Sequence, residues 1–156
     1  MFKSFYLALL LFVIGCSSSQ PVVESQQANY ENVFVDVVSK QLQFGANTPE
    51  PLQVLIREWF NSDVKVNGTE GSVLFIMDNY QEKLSAIEDG KRVDLSLAFQ
   101  IKIDKPALSQ KKQVQGSVNS FSTLTGSFSL ADVDRLIANT QSDLVVRLSE
   151  ELQSKL

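Results

Sequence analysis

The sequence predicts an α+β domain, a sheet of about four antiparallel strands covered on one face by two helices, in the order β-α-β-β-β-α. Three observations predict it. Val93, Leu95, Leu97, Phe99, Ile101 and Ile103 alternate with Asp94, Ser96, Gln100, Lys102 and Asp104, so one strand has an apolar face and a wet face. Leu52, Leu55, Ile56, Trp59 and Phe60 recur at helical spacing. Leu130, Val133, Leu136, Ile137, Leu144, Leu148 and Leu152 do so again near the C-terminus, in a stripe softened only at Thr140.

Along the chain, Asn32-Val33-Phe34-Val35-Asp36-Val37-Val38 is rich in β-branched residues and reads as the first strand. Thr48 caps the first helix, with Pro49 at its first position, where a missing N–H is tolerated. Arg57 falls on the wet side of that helix, opposite Trp59. Val73 to Met77 opens a second strand, which continues through a bulge near Asp78-Asn79 toward Ile87. Asp89-Gly90 supplies hairpin turn chemistry before the alternating strand. Pro106 begins a loop, and Lys111 to about Thr125 returns as a fourth, more polar strand. Ser129 caps the last helix, and Asp132 completes a capping box. Phe128 and Val133 form the accompanying hydrophobic staple. Asp143 with Arg147, and Glu151 with Lys155, are i,i+4 pairs in the favourable order.

Composition limits the chemistry. The 156 residues include no histidine and a single cysteine, Cys16. Disulfides within one chain, imidazole and thiolate metal sites, and histidine-based catalytic dyads or triads are therefore excluded. The expectation is a chain that is not an enzyme and holds no cofactor or metal. Removing residues 1–15 takes away only Lys3 and leaves 13 basic against 18 acidic side chains, a net charge of −5. That balance argues against nucleic acid, whose binding is dominated by basic contacts to phosphate. The remaining 141 residues suffice for one domain with a real core.

The beginning of the chain is organised differently. Lys3 precedes an apolar run from Phe5 to Ile14, which closes as Val13-Ile14-Gly15-Cys16. A run of about ten residues is too short to span a bilayer, which needs roughly 20. It suits the core of a cleaved signal peptide, with small Gly15 at the cut. These residues resemble the lipobox of bacterial lipoprotein precursors. The resemblance implies diacylglyceryl attachment to the Cys16 sulfur, cleavage between Gly15 and Cys16, and acylation of the new amino terminus. Two or three acyl chains make such an anchor stable, at about 0.8 kcal/mol per buried methylene. Ser17, in place of the aspartate that retains lipoproteins in the inner membrane, implies an outer-membrane location facing the periplasm. Residues 1–15 thus read as signal peptide, 16–30 as a lipidated tether rich in Ser and Gln, and 31–156 as one domain.

The layout of the domain adds a second, looser resemblance. Leu52–Phe60 as first helix, Arg92–Asp104 as central strand, Gly116 to Phe121 in the late strand and Asp132–Leu152 as terminal helix resemble the lipoprotein subunit of the outer-membrane lipopolysaccharide-assembly machinery. They are also similar to YajG-type lipoproteins and to auxiliary lipoproteins of lipid-transport ABC systems. The resemblance implies an interaction or assembly subunit that works on lipopolysaccharide or lipid transport with a protein partner in the envelope. No binding residue carries over from it.

Several side chains stand out as candidates. Asp78 with Glu82, and Glu88 with Asp89, pair carboxylates that acid–base chemistry or a hard cation can use, although edge and turn carboxylates are ordinarily solvated. Lys102, Lys105, Lys111 and Lys112 form a basic cluster, suited to phosphate groups or to guarding a sheet edge. Phe121 and Leu124, with Phe128, sit among Ser and Thr residues and suggest a partner contact. Two functional classes result: an envelope interaction subunit, or a binding module for a lipid, glycolipid or cell-wall fragment. A dry core with an external apolar patch favours the first, and an apolar cavity favours the second.

Overall fold

The computed structural model describes residues 30–156; Gly15 and Cys16, the expected signal peptide and all of the expected tether but Tyr30 lie outside these residues. Six strands and two long helices make up the domain: β1 (Val33–Val35), β2 (Ser39–Phe44), α1 (Glu50–Ser62), β3 (Val64–Val66), β4 (Ser72–Ile87), β5 (Gly90–Lys105), β6 (Gln110–Thr125) and α2 (Leu130–Lys155). The main sheet has four strands in the order β2-β4-β5-β6. β4, β5 and β6 form an antiparallel meander, and β2 joins β4 in parallel. The fold class is the expected α+β arrangement.

The first strand differs from its expectation. β1 ends at Val35 and pairs only with β3, Val33 opposite Val64. The chain bends at residues 36–38, where Asp36 turns out to Lys105 with 2.5 Å between Nζ and Oδ2. The strand that joins the main sheet is β2, whose Ser-Lys-Gln-Leu-Gln-Phe sequence has the half-polar pattern of an edge. A parallel neighbour requires a crossover, and α1 supplies it between β2 and β4.

The helices cover one face. Leu52, Ile56, Trp59 and Phe60 of α1 are buried, as are Val133, Leu144, Leu148 and Leu152 of α2. Beneath them lie Val73, Phe75 and Met77 of β4 and the alternating residues of β5. The rings of Phe60 and Phe75 meet edge to face, with centroids 5.3 Å apart. Thr48 does not cap α1: the helix starts one residue later, the cap position is Pro49, and no side chain bonds the first-turn amides. Thr48 is instead buried, and its carbonyl accepts Gln53 Nε2 at 2.8 Å. Lys40 serves the other end of α1, donating to the carbonyls of Phe60 at 2.5 Å and Val64 at 2.6 Å.

The bulge expected in β4 is present. Register shifts between Asp78 and Gln81, and Asn79 takes a positive φ of 51°. α2 starts as the sequence predicts: Asp132 N donates to Ser129 Oγ at 3.3 Å, and Ser129 N donates to Asp132 Oδ2 at 2.8 Å. Glu151 and Lys155 pair at 3.2 Å, whereas among the described residues Asp143 and Arg147 form no ion pair.

The capping box makes a prediction about acid. Hydrogen bonds from the Ser129 hydroxyl, and then from its amide, hold the Asp132 carboxyl below the usual carboxylate range. A group depressed by folding stabilises above its unfolded pKa and loses that contribution as pH falls through the folded value. The first turn of α2 should therefore fray below about pH 4. Asp132→Asn should remove the acid-dependent step, read from the amide shifts of residues 129 and 132. A wild-type titration without that step refutes the assignment.

Candidate interaction site

The uncovered face of the sheet is set by the two-residue period. Leu74, Ile76 and Asp78 of β4, Arg92, Asp94, Ser96, Ala98, Gln100 and Lys102 of β5, and their β6 partners all point away from the helices. Two hollows open on this face. One, of about 470 Å³, is lined by Ile76, Asp78, Ala98, Gln100, Gln115 and Ser117 among others. The other, of about 380 Å³, lies among Gln81, Lys83, Arg92, Asp94, Asn119 and Phe121. Both hollows are open to solvent on the face of the sheet and mix polar with apolar side chains, and neither is an enclosed cavity.

Arg92 organises the second hollow. Its Nε and Nη2 donate to Asp94 Oδ1 at 2.8 and 2.6 Å, and its guanidinium lies 4.3 Å above the centroid of Phe121. The ion pair holds the Asp94 carboxyl below its ordinary range. Phe121 is 58% exposed, while Leu124 is half-buried. An odd spacing along one strand puts them on opposite faces: Phe121 pairs with Asp94 on the open side, Leu124 with Lys91 on the helix side.

The two-residue period, shifted in β4 by its bulge, separates the other candidate groups. Asp78 pairs with Ala98 on the open face, and Glu82 pairs with Leu95 on the helix face. Glu82 accepts the Tyr80 hydroxyl at 2.7 Å, and Gln141 Nε2 donates to that hydroxyl at 3.4 Å. Burial raises the Tyr80 phenol well above its ordinary value, so it stays a neutral donor. Glu88 and Asp89 occupy the turn between β4 and β5. Lys102 and Lys111 fall on the open face, Lys105 and Lys112 on the other, although all four gather at one end of the sheet. Lys111 Nζ lies 3.4 Å from Asp104 Oδ2, which offsets part of that charge.

The side chains that the sequence does not single out lie at the opposite end, around the β4–β5 hairpin. Leu130 is 81% exposed, and Leu84 and Ile87 are exposed too. Leu130 was expected in the buried stripe of α2. It is the first residue of that helix, five positions beyond the last residue of β6, and no strand runs beneath it. The amide of Gly126 donates to Asp89 O at 2.9 Å, which ties the start of α2 to the hairpin. Leu84, Ile87, Phe121 and Leu130 thus mark one end of the domain.

Comparison with known proteins adds the fold. No family model matches the sequence, and no curated protein matches it. Among solved structures, a minor lipoprotein from Acinetobacter baumannii has a TM-score of 0.54 at 12% identity, over 76% of this chain and 94% of that one. The rare lipoprotein B from Shewanella oneidensis has a TM-score of 0.48 at 12% identity, covering 76% of this chain and 96% of its own. An uncharacterized lipoprotein B from Nitrosomonas europaea gives 0.43 at 11%, covering 79% and 84%. The first of these has the same fold as this chain. Among the described residues, no helix is long and apolar enough to cross a membrane.

Proposed function

We propose that this chain is a lipid-anchored, non-catalytic interaction subunit of the bacterial envelope, held to the outer membrane through Cys16 and docking on an assembly or lipid-transport complex. Val13-Ile14-Gly15-Cys16 supports the anchor, and Ser17 after it supports the outer membrane. The fold held in common with a bacterial lipoprotein agrees with the anchor. The absence of histidine from the whole sequence supports a non-catalytic role.

One observation favours docking over ligand capture: exposed apolar side chains concentrate at the hairpin end. Leu84, Ile87, Phe121 and Leu130 protrude there, while the interior is filled by Trp59, Phe75, Leu97, Leu148 and their neighbours. Exposed apolar patches mark protein contacts. A photoreactive phenylalanine analogue at position 130 should crosslink a second envelope protein in living cells. The same group at exposed Arg147, about two-thirds of the way along α2, should give far less. No adduct at 130 or 121, at wild-type abundance, refutes the docking surface.

A further inference from the structure

A second set of exposed apolar side chains lies at the other end of the domain, away from the hairpin. Phe34 is 61% exposed, Val38 58% and Leu108 56%. They come from two segments, residues 34–38 and the turn after Lys105, that meet at Lys105. Asp36, between Phe34 and Val38, is ion-paired to Lys105 at 2.5 Å. Val38 N donates to Gly71 O at 3.3 Å, and a Cβ built on Gly71 would lie 2.9 Å from Lys105 Cγ. Leu108 belongs to the short turn immediately after Lys105. A cavity of about 200 Å³ opens here, lined by Phe34, Val35, Ile103 and Leu156 with Lys105 and Lys112.

This is also the end at which the chain enters. Tyr30, the first described residue, packs on the core, and Glu58 and Asp63 at the end of α1 are close enough to raise its phenol further once burial has done so. Cys16 precedes it by 14 residues. Those residues reach at most about 50 Å, so lipid on Cys16 places the bilayer within about that distance of this end of the domain. Lys102, Lys111 and Lys112 stand around the turn, with long apolar stems that can lie along lipid while their ammonium groups meet phosphates.

We propose that this end rests on the membrane surface, with Phe34, Val38 and Leu108 in the lipid headgroup region and the lysines at the phosphates. The proposal rests on the anchor reading above. It adds an orientation: the strands and α2 stand away from the bilayer, and the hairpin end faces outward from it.

The test uses the full lipidated protein in phosphatidylethanolamine–phosphatidylglycerol vesicles that carry spin-labelled lipid. Phe34→Cys, Leu108→Cys and Leu84→Cys each bear a small environment-sensitive fluorophore. The labels at 34 and 108 should lose most of their emission to the quencher lipid, and the label at 84 should keep it. A Val38→Cys reporter should regain emission when Phe34→Ser and Leu108→Ser are added, with thermal unfolding unchanged because both side chains are exposed. Equal quenching at all three positions overturns the proposal. Emission shifted but unquenched at 34 and 108 also overturns it, since protein then covers the patch. The mass of the amino-terminal peptide is read separately. Absence of acyl mass on Cys16 defeats the anchor reading, whereas acyl mass with unquenched labels defeats only the orientation.

Discussion

Trp59→Ala should lower the unfolding free energy by about 3–5 kcal/mol, while Arg57→Ala should change it by less than about 0.5 kcal/mol. Trp59 is fully buried between the sheet and the helices, where truncation of a large aromatic leaves a cavity that rigid neighbours cannot close. Arg57 is exposed on the same helix, two residues away, and contributes one hydrogen bond to Gln53 at 2.8 Å and a contact over the Phe44 ring. The indole Nε1 is buried without a hydrogen-bond partner among the described residues. Trp59→Phe should accordingly cost much less than Trp59→Ala, because it removes an unsatisfied donor along with some contact area. Denaturant midpoints for the three variants decide this. Equal losses for Trp59→Ala and Arg57→Ala would place the helix in the wrong rotational phase.

Gly90→Ala should be nearly as damaging, for a backbone reason. A Cβ at Gly90 would stand 1.8 Å from the carbonyl oxygen of Leu124, so the β5–β6 pairing must open at that point. Overpacking against backbone lies at or above the upper end of the usual range, about 3 kcal/mol. Gly126 is the internal comparison. It has a φ of +81° and open space around it, so Gly126→Ala should cost only the left-handed penalty of about 1–2 kcal/mol. A thermal midpoint lowered more by Gly126→Ala than by Gly90→Ala would contradict the close approach.

These two glycines show what the sequence reveals and what it hides. Asp89-Gly90 correctly marks the hairpin, but Gly90 is already the first residue of β5, paired with Ile87 and Thr125, and needs its hydrogen for proximity rather than for positive φ. Alternation in β5 and the Ser129–Asp132 box were legible because each is a local pattern with one physical solution. β2 was not, because Ser39-Lys40-Gln41-Leu42-Gln43-Phe44 has weak alternation and owes its place to a parallel partner that starts 33 positions later in the chain, Ser39 opposite Ser72. The candidate surface was legible only in part. Phe121 stands out as apolar in a polar strand, and it is exposed. Leu130 and Leu84 follow a buried-face pattern perfectly well, and they are exposed only because the elements that would cover them stop short. Coverage is a tertiary property that periodicity does not contain.

β6 ends the sheet, so every second residue of its 16 presents its amide and carbonyl outward along one rim. Such a rim invites a second strand from another copy. In the proposed orientation, upright on a bilayer, only some copies could answer. Antiparallel pairing of β6 with β6 requires one molecule to be inverted, which the proposed orientation would forbid. Parallel pairing keeps both molecules upright but brings Lys111 and Lys112 against their own counterparts, at like charge and in register. Confinement to two dimensions would raise the encounter rate between copies, yet it would also remove the one geometry in which this edge pairs with itself without repulsion.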